Sequence, residues 1–174
     1  MHNFGMRVLI IISCFLIVNF SSFSQSNADL GVAAIGLVAG DIEISKKFYE
    51  DILGMKEVGG FSLDEQWSKE AGAANGKPFS VKLFKMKDLS SATVLKLAYF
   101  DKTENPLDKQ GINISSGVNY ITLYYTTEEF QQVIERISAA GINKVGWVKR
   151  DSYQLVFIKD PDGIFVEIVG PPDK

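Results

Sequence analysis

Lys96 and Glu167 stand out as charged side chains set in the middle of apolar, strand-like runs. Lys96 lies in Leu95-Lys-Leu97 in the first half of the chain, and Glu167 in Val166-Glu-Ile168 in the second. A cation and a carboxylate so placed can form a structural ion pair, hold a polar ligand, or work as an acid/base pair with shifted pKa values. Most other catalytic devices are missing by residue type. The chain has one histidine, His2, and one cysteine, Cys14, and both fall in a leader that the sequence marks for removal. The remainder holds no imidazole base, no thiol nucleophile, no disulfide and no His/Cys zinc site.

The leader is read from its charge and hydropathy. Arg7 is the only charged side chain before Asp29, and residues 8–18 are uncharged and mostly apolar. A short polar stretch follows, with small residues at Ser22 and Ser24. A basic start, a short apolar run and small residues before the cut predict a signal peptide over residues 1–24. The expectation is a secreted or periplasmic protein without a stable membrane anchor, because a spanning helix needs roughly 20 apolar residues. A second processing route, lipid attachment at Cys14 within Ile11-Ile-Ser-Cys14, is the alternative. The 174 residues carry a net charge of −3, so no basic field exists to grip nucleic acid.

The rest of the chain reads as one unit written twice. Residues 32–39 alternate around Ile35 and Leu37 as a strand does. Asp41 caps a helix with Ile44, Phe48, Ile52 and Leu53 on one face, and Gly54 ends it. Residues 118–125 repeat the strand. Thr126 and Glu129 form a capping box, Phe130, Val133, Ile134 and Ile137 form the apolar stripe, and Gly141 ends the second helix. Three strand-like runs follow each helix: residues 55–58, 78–86 and 93–99, then 143–148, 153–158 and 164–169. A short extra helix is predicted over residues 64–73. Asp160-Pro-Asp-Gly163 carries the pattern of a type I turn. Each half is therefore β-α-β-β-β, and the polar residues 101–117 link them.

Strand alternation sorts the side chains onto two faces. Ile35, Leu37, Leu95, Leu97, Ile121, Leu123, Val166 and Ile168 must pack under the helices. Ala34, Gly36, Lys96, Ala98, Tyr120, Thr122, Tyr124, Phe165 and Glu167 share the other face. That mixture of small, aromatic, hydroxyl and charged groups suits the wall of a small-molecule pocket.

Phe48-Tyr-Glu-Asp-Ile-Leu-Gly-Met55 and Asp160-Pro-Asp-Gly-Ile-Phe-Val-Glu-Ile168 resemble the two signature stretches of the vicinal oxygen chelate superfamily. That group contains glyoxalase I, bleomycin-resistance proteins, extradiol dioxygenases and methylmalonyl-CoA epimerase. The resemblance covers residues 30–171 and implies a single domain, with module 31–100, linker 101–117 and module 118–171. The fold class it implies is α+β, two tandem βαβββ modules forming a curved mixed sheet around a concave pocket. It also implies where a metal would sit: a ligand from the first strand and a glutamate from the last strand of each half. Carried through the internal repeat, those positions are Ala34, Lys96, Tyr120 and Glu167. Only Glu167 is ligand-like, and an ammonium at residue 96 repels a cation from its own seat, so the expectation is no metal and no cofactor.

The reading that results is metal-independent binding or sequestration of a small organic molecule, as the bleomycin-resistance branch does. Its ligand pocket is expected at Ala34, Lys96, Tyr120, Thr122, Tyr124, Phe165 and Glu167. Alternatives are a glyoxalase-like lyase or isomerase using Lys96 and Glu167, a metal-dependent enzyme with a degenerate site, and a protein-partner-binding module. The resemblance also implies a possible homodimer, because family members pair modules between chains.

Overall fold

The structure, a computed structural model, describes residues 33–103, 111–113 and 116–173. The expected signal peptide and part of the linker lie outside the described residues. The first module comprises β1 (Ala34–Val38), α1 (Ile42–Lys47), β2 (Lys56–Leu63), α2 (Glu65–Ala71), β3 (Phe79–Lys85) and β4 (Val94–Tyr99). The second comprises β5 (Tyr120–Tyr124), α3 (Thr127–Ala139), β6 (Gly146–Lys149), β7 (Gln154–Lys159) and β8 (Phe165–Gly170). The fold is α+β, and each module builds its own four-stranded mixed sheet, in orders β1-β4-β3-β2 and β5-β8-β7-β6. In each, the first strand runs parallel to the last, and the other pairings are antiparallel.

Local chemistry sets the helix ends. The Asp41 carboxylate accepts from the N–H groups of Glu43 and Ile44 at 2.9 and 3.1 Å, which starts α1. Thr126 and Glu129 make the reciprocal capping box expected for α3. After Lys47 the first helix widens into a π-helical turn over Phe48–Ile52, and Gly54 leaves it at φ +77°. The core between helices and sheets gathers Phe48, Tyr49, Leu53, Phe84, Leu95, Leu97, Phe130, Val133, Ile137, Val156, Val166 and Ile168. Each such side chain contributes about 1.5–3 kcal/mol on burial.

Two expectations need adjustment, in the first helix and in β2. Ile44 is exposed, and the buried positions of the first helix are Ser45, Phe48, Tyr49 and Leu53. The face is rotated because Ser45 and Tyr49 find polar partners across the module junction. β2 is longer than the run 55–58, extending to Leu63 with a bulge at Val58. Beside that strand the Lys82 ammonium of β3 meets Glu57 at 3.1 Å, and Lys46 of α1 meets the other Glu57 oxygen at 2.5 Å. Trp67 and Trp147 are surface residues, the first edge-on to Phe79 and the second beneath the ammonium groups of Lys144 and Lys149.

Candidate functional site

The strand registers place the expected site residues on the faces turned away from the helices. On the first sheet Lys96 lies between Gly36 of β1 and Leu83 of β3. A Cβ added at Gly36 would meet nothing within 4 Å, so the space beside Lys96 is open. Ala34 lies further along β1, exposed. Lys96 is half-buried and has no hydrogen bond or ion pair among the described residues.

On the second sheet Glu167 lies between Thr122 of β5 and Phe157 of β7. The Thr122 hydroxyl donates to Glu167 Oε2 at 2.6 Å. Tyr120, Phe157 and Phe165 form an edge-to-face row with centroid separations of 6.0 and 6.4 Å. The Lys159 ammonium sits 5.3 Å from the Phe165 ring centroid. Phe165 is 2% exposed, so it supports this face from below and does not meet solvent. Tyr120 and Tyr124 are 45% and 77% exposed.

The structure therefore brings together Tyr120, Thr122, Phe165 and Glu167, with Phe157 as an additional member. Phe157 was legible from alternation, being two residues from Leu155 and Lys159 on the same strand face. The expected ion pair of Lys96 with Glu167 is absent among the described residues. The reason is geometric and chemical. The two residues belong to separate sheets, and the Glu167 carboxylate already receives a hydroxyl from its own.

Sequence reasoning missed the polar junction between the modules. The Asp160-Pro-Asp-Gly163 turn closes as expected, with the Gly163 N–H donating to Asp160 O at 3.1 Å. Its carboxylates then reach the first module. Tyr49 donates to Asp160 Oδ2 at 2.8 Å, Ser45 to Asp162 Oδ2 at 2.9 Å, and the Gly40 N–H to Asp162 Oδ1 at 2.8 Å. The end of the first helix is held from the same side. Tyr125 donates to Leu53 O and Arg136 Nε to Ile52 O, each at 2.8 Å, which satisfies carbonyls that the helix terminus leaves free. Burial pushes the Asp160 carboxyl above its ordinary range, opposed by the Tyr49 and backbone hydrogen bonds. Burial likewise pushes the Tyr49 hydroxyl well up, with the Asp160 charge adding to it. Ser45 and Tyr49, four residues apart on one face of an amphipathic helix, were the available signal.

Two cavities lie along the junction. One, of about 420 Å³, takes in Thr122 and Tyr124 together with Ile35, Leu95, Ile121 and the β3–β4 turn. The other, of about 330 Å³, is lined by β1, Val118 and the Asp162 turn. Ala34, Lys96, Tyr120, Phe165 and Glu167 line neither.

Comparison with known proteins matches residues 31–168 to the model of the Glyoxalase/Bleomycin resistance protein/Dioxygenase superfamily. A protein of Vibrio parahaemolyticus named a probable lactoylglutathione lyase is 31% identical over 137 residues, covering 76% of this chain and 85% of that protein. A glyoxalase family protein from Bacillus cereus superposes with TM-score 0.67 at 17% identity, covering 87% of this chain and 100% of that one. A glyoxalase/dioxygenase from Nostoc punctiforme gives TM-score 0.58 at 24% identity, over 88% and 98% of the two chains. These two structural likenesses are likenesses of fold.

Proposed function

The chain belongs to the Glyoxalase/Bleomycin resistance protein/Dioxygenase superfamily, and on that premise we propose that it binds a small organic molecule on its open sheet faces without a divalent metal. The observation that carries the reading is Lys96, a half-buried ammonium without a partner among the described residues, at a position where the family resemblance places a metal-binding carboxylate. The residues present do not fit a metal. Ala34 has no donor atom, Lys96 repels a cation, and the Glu167 carboxylate is engaged by Thr122. Among the described residues no group of three or more His, Cys, Asp or Glu side chains could hold an ion.

What these faces offer instead is the Lys96 ammonium beside open space on one sheet, and a hydroxyl-bound carboxylate beside exposed Tyr120 on the other. Such a set orients an oxygen-bearing ligand with an aromatic or apolar body. Export belongs to the same proposal, supported by the charge and hydropathy of residues 1–24, and intact-mass analysis of secreted protein should find a chain starting at Gln25. Native mass spectrometry of protein purified from its own periplasm should show a co-purifying small molecule and no metal. One equivalent of Zn, Ni, Mn or Fe per chain, with a melting temperature that falls on chelation, would reverse the reading.

A lyase is the second reading, favoured by the 31% identity to the probable lactoylglutathione lyase. In it Lys96 and Glu167 would handle protons in place of a metal. Lactoylglutathione formation, assayed with and without added Ni²⁺ or Zn²⁺, separates the two readings. Turnover lost in Lys96→Met and Glu167→Gln would favour the lyase.

A further inference from the structure

The two junction cavities occupy equivalent places in the internal repeat and both are largely apolar, yet only one is closed by hydrogen bonds across the junction. In each, the turn between the last two strands of one module faces the first strand of the other. The turn of the second module carries Asp162, which is tied to Gly40 and Ser45. The turn of the first module, residues 86–93, faces β5 without any such tie among the described residues. Its 420 Å³ cavity is walled by Met55, Met86, Ala92, Leu95 and Ile121. Three of these, Met55, Leu95 and Ile121, are core residues, so the cavity reaches into the interior.

We propose that this cavity is a binding site for a small amphiphile, an apolar body with an anionic head, distinct from the positions of Lys96 and Glu167 on the open sheet faces. The volume lies within the range of small-molecule sites, about 300–1,000 Å³, and leaves no room for a helix or strand of a partner. Apolar walls give water no hydrogen bonds, so an apolar occupant gains by entering. Met55 and Met86 are the only methionines among the described residues. Both line the cavity, and their unbranched thioethers adapt to varied ligand shapes. The one charged lining group is the exposed Lys87, and Thr93 adds a hydroxyl, while the Thr122 hydroxyl is already given to Glu167. Glu129 lies within electrostatic reach of Lys87, but its carboxylate is already held by the Thr126 hydroxyl and N–H. Leu89 and Tyr124, more than half exposed, extend the apolar surface outward along the rim.

The pair of methionines makes the test direct. Purified protein labelled with methyl-¹³C methionine is titrated with decanoate, and the methyl signals of Met55 and Met86 should both shift saturably. Decanol, with the same tail and no charge, should bind about fivefold more weakly, as expected for one solvent-exposed charge contact. Lys87→Gln should erase that preference, and Ala92→Trp, which fills the cavity, should abolish both shifts. Absence of saturable shifts at Met55 and Met86 in the unmodified protein would overturn the proposal, whatever the variants do. So would binding retained in folded Ala92→Trp, or loss of binding as the protein self-associates, which would make this surface a contact between copies.

Discussion

Tyr49 is fully buried and carries a hydroxyl, so its place in the core depends on the acceptor that Asp160 Oδ2 supplies at 2.8 Å. Removing that hydroxyl in Tyr49→Phe leaves a buried carboxylate short of a donor. The variant should lose about 1.5–3 kcal/mol in urea unfolding, the usual worth of a hydrogen bond to a charged group. The same carboxylate sets one limb of the pH dependence. Asp160 is raised chiefly by burial, so the folded state takes up its proton at higher pH than the unfolded state does. Its charged form weighs against folding at neutral pH, and that cost is relieved as pH falls through its raised folded value. Glu57 acts in the opposite sense. Its hydrogen bonds, from Lys46 first and also from Lys82, hold its pKa down, so its contribution is present above the ordinary carboxylate range and lost as pH falls through the lowered folded value. Thermal melts across the acid range should show Asp160→Asn losing a gain on acidification, and Glu57→Gln losing a decline. Parallel curves for all three proteins would show that neither group contributes to the pH dependence. Neither Tyr49 nor Asp160 was singled out from the sequence, because a tyrosine in an amphipathic helix and an aspartate in a turn each have an ordinary local explanation. Their partnership spans 111 residues, and no local pattern contains it.

Helix α3 shows how far local chemistry alone can specify an element. Its capping box and its apolar stripe are adjacent in sequence, and the structure has both, with Phe130, Val133 and Ile137 buried. Thr126→Ala removes the hydroxyl that receives the Glu129 N–H and should cost about 1 kcal/mol in chemical denaturation. The packing of that helix on its sheet is a separate matter. A Cβ at Gly170 would come within 2.5 Å of Phe130 Cγ, so the helix rests directly on the backbone of β8. Gly170→Ala should therefore destabilise by about 1–3 kcal/mol through overpacking. The first helix was legible as an element but not in its facing. Apolar periodicity favoured Ile44, whereas satisfied polar groups at Ser45 and Tyr49 turned the buried face by one position. Strand faces were read correctly because a period of two leaves only two choices. The expected pocket residues were legible only as positions on the open faces of the strands. Whether Lys96 meets Glu167 depended on how two separate sheets sit, which alternation cannot encode.

At the level of the whole molecule, the two modules share no strand ladder. β1 pairs with β4, and β5 with β8, so each sheet closes within its own module. Packing in the common core crosses the junction, and so do hydrogen bonds between the first-helix region and the second module, from Gly40, Ser45 and Tyr49 to the Asp160–Gly163 turn and from Tyr125 and Arg136 to the end of the first helix. A chain arranged in this way can be cut without unzipping any sheet. Two polypeptides, one ending at Thr103 and the other starting at Ser116, should reassociate when expressed together, and should do so as a concentration-dependent complex detectable by co-purification through a tag on one piece. Tyr49→Phe, which is a modest stability variant in the intact chain, should weaken the affinity of the pieces by about tenfold or more, since the same lost hydrogen bond then counts against binding. The polar turn and helix would in that setting be the recognition surface of a split-protein reporter, and the covalent linker merely the tether that keeps its halves at high local concentration.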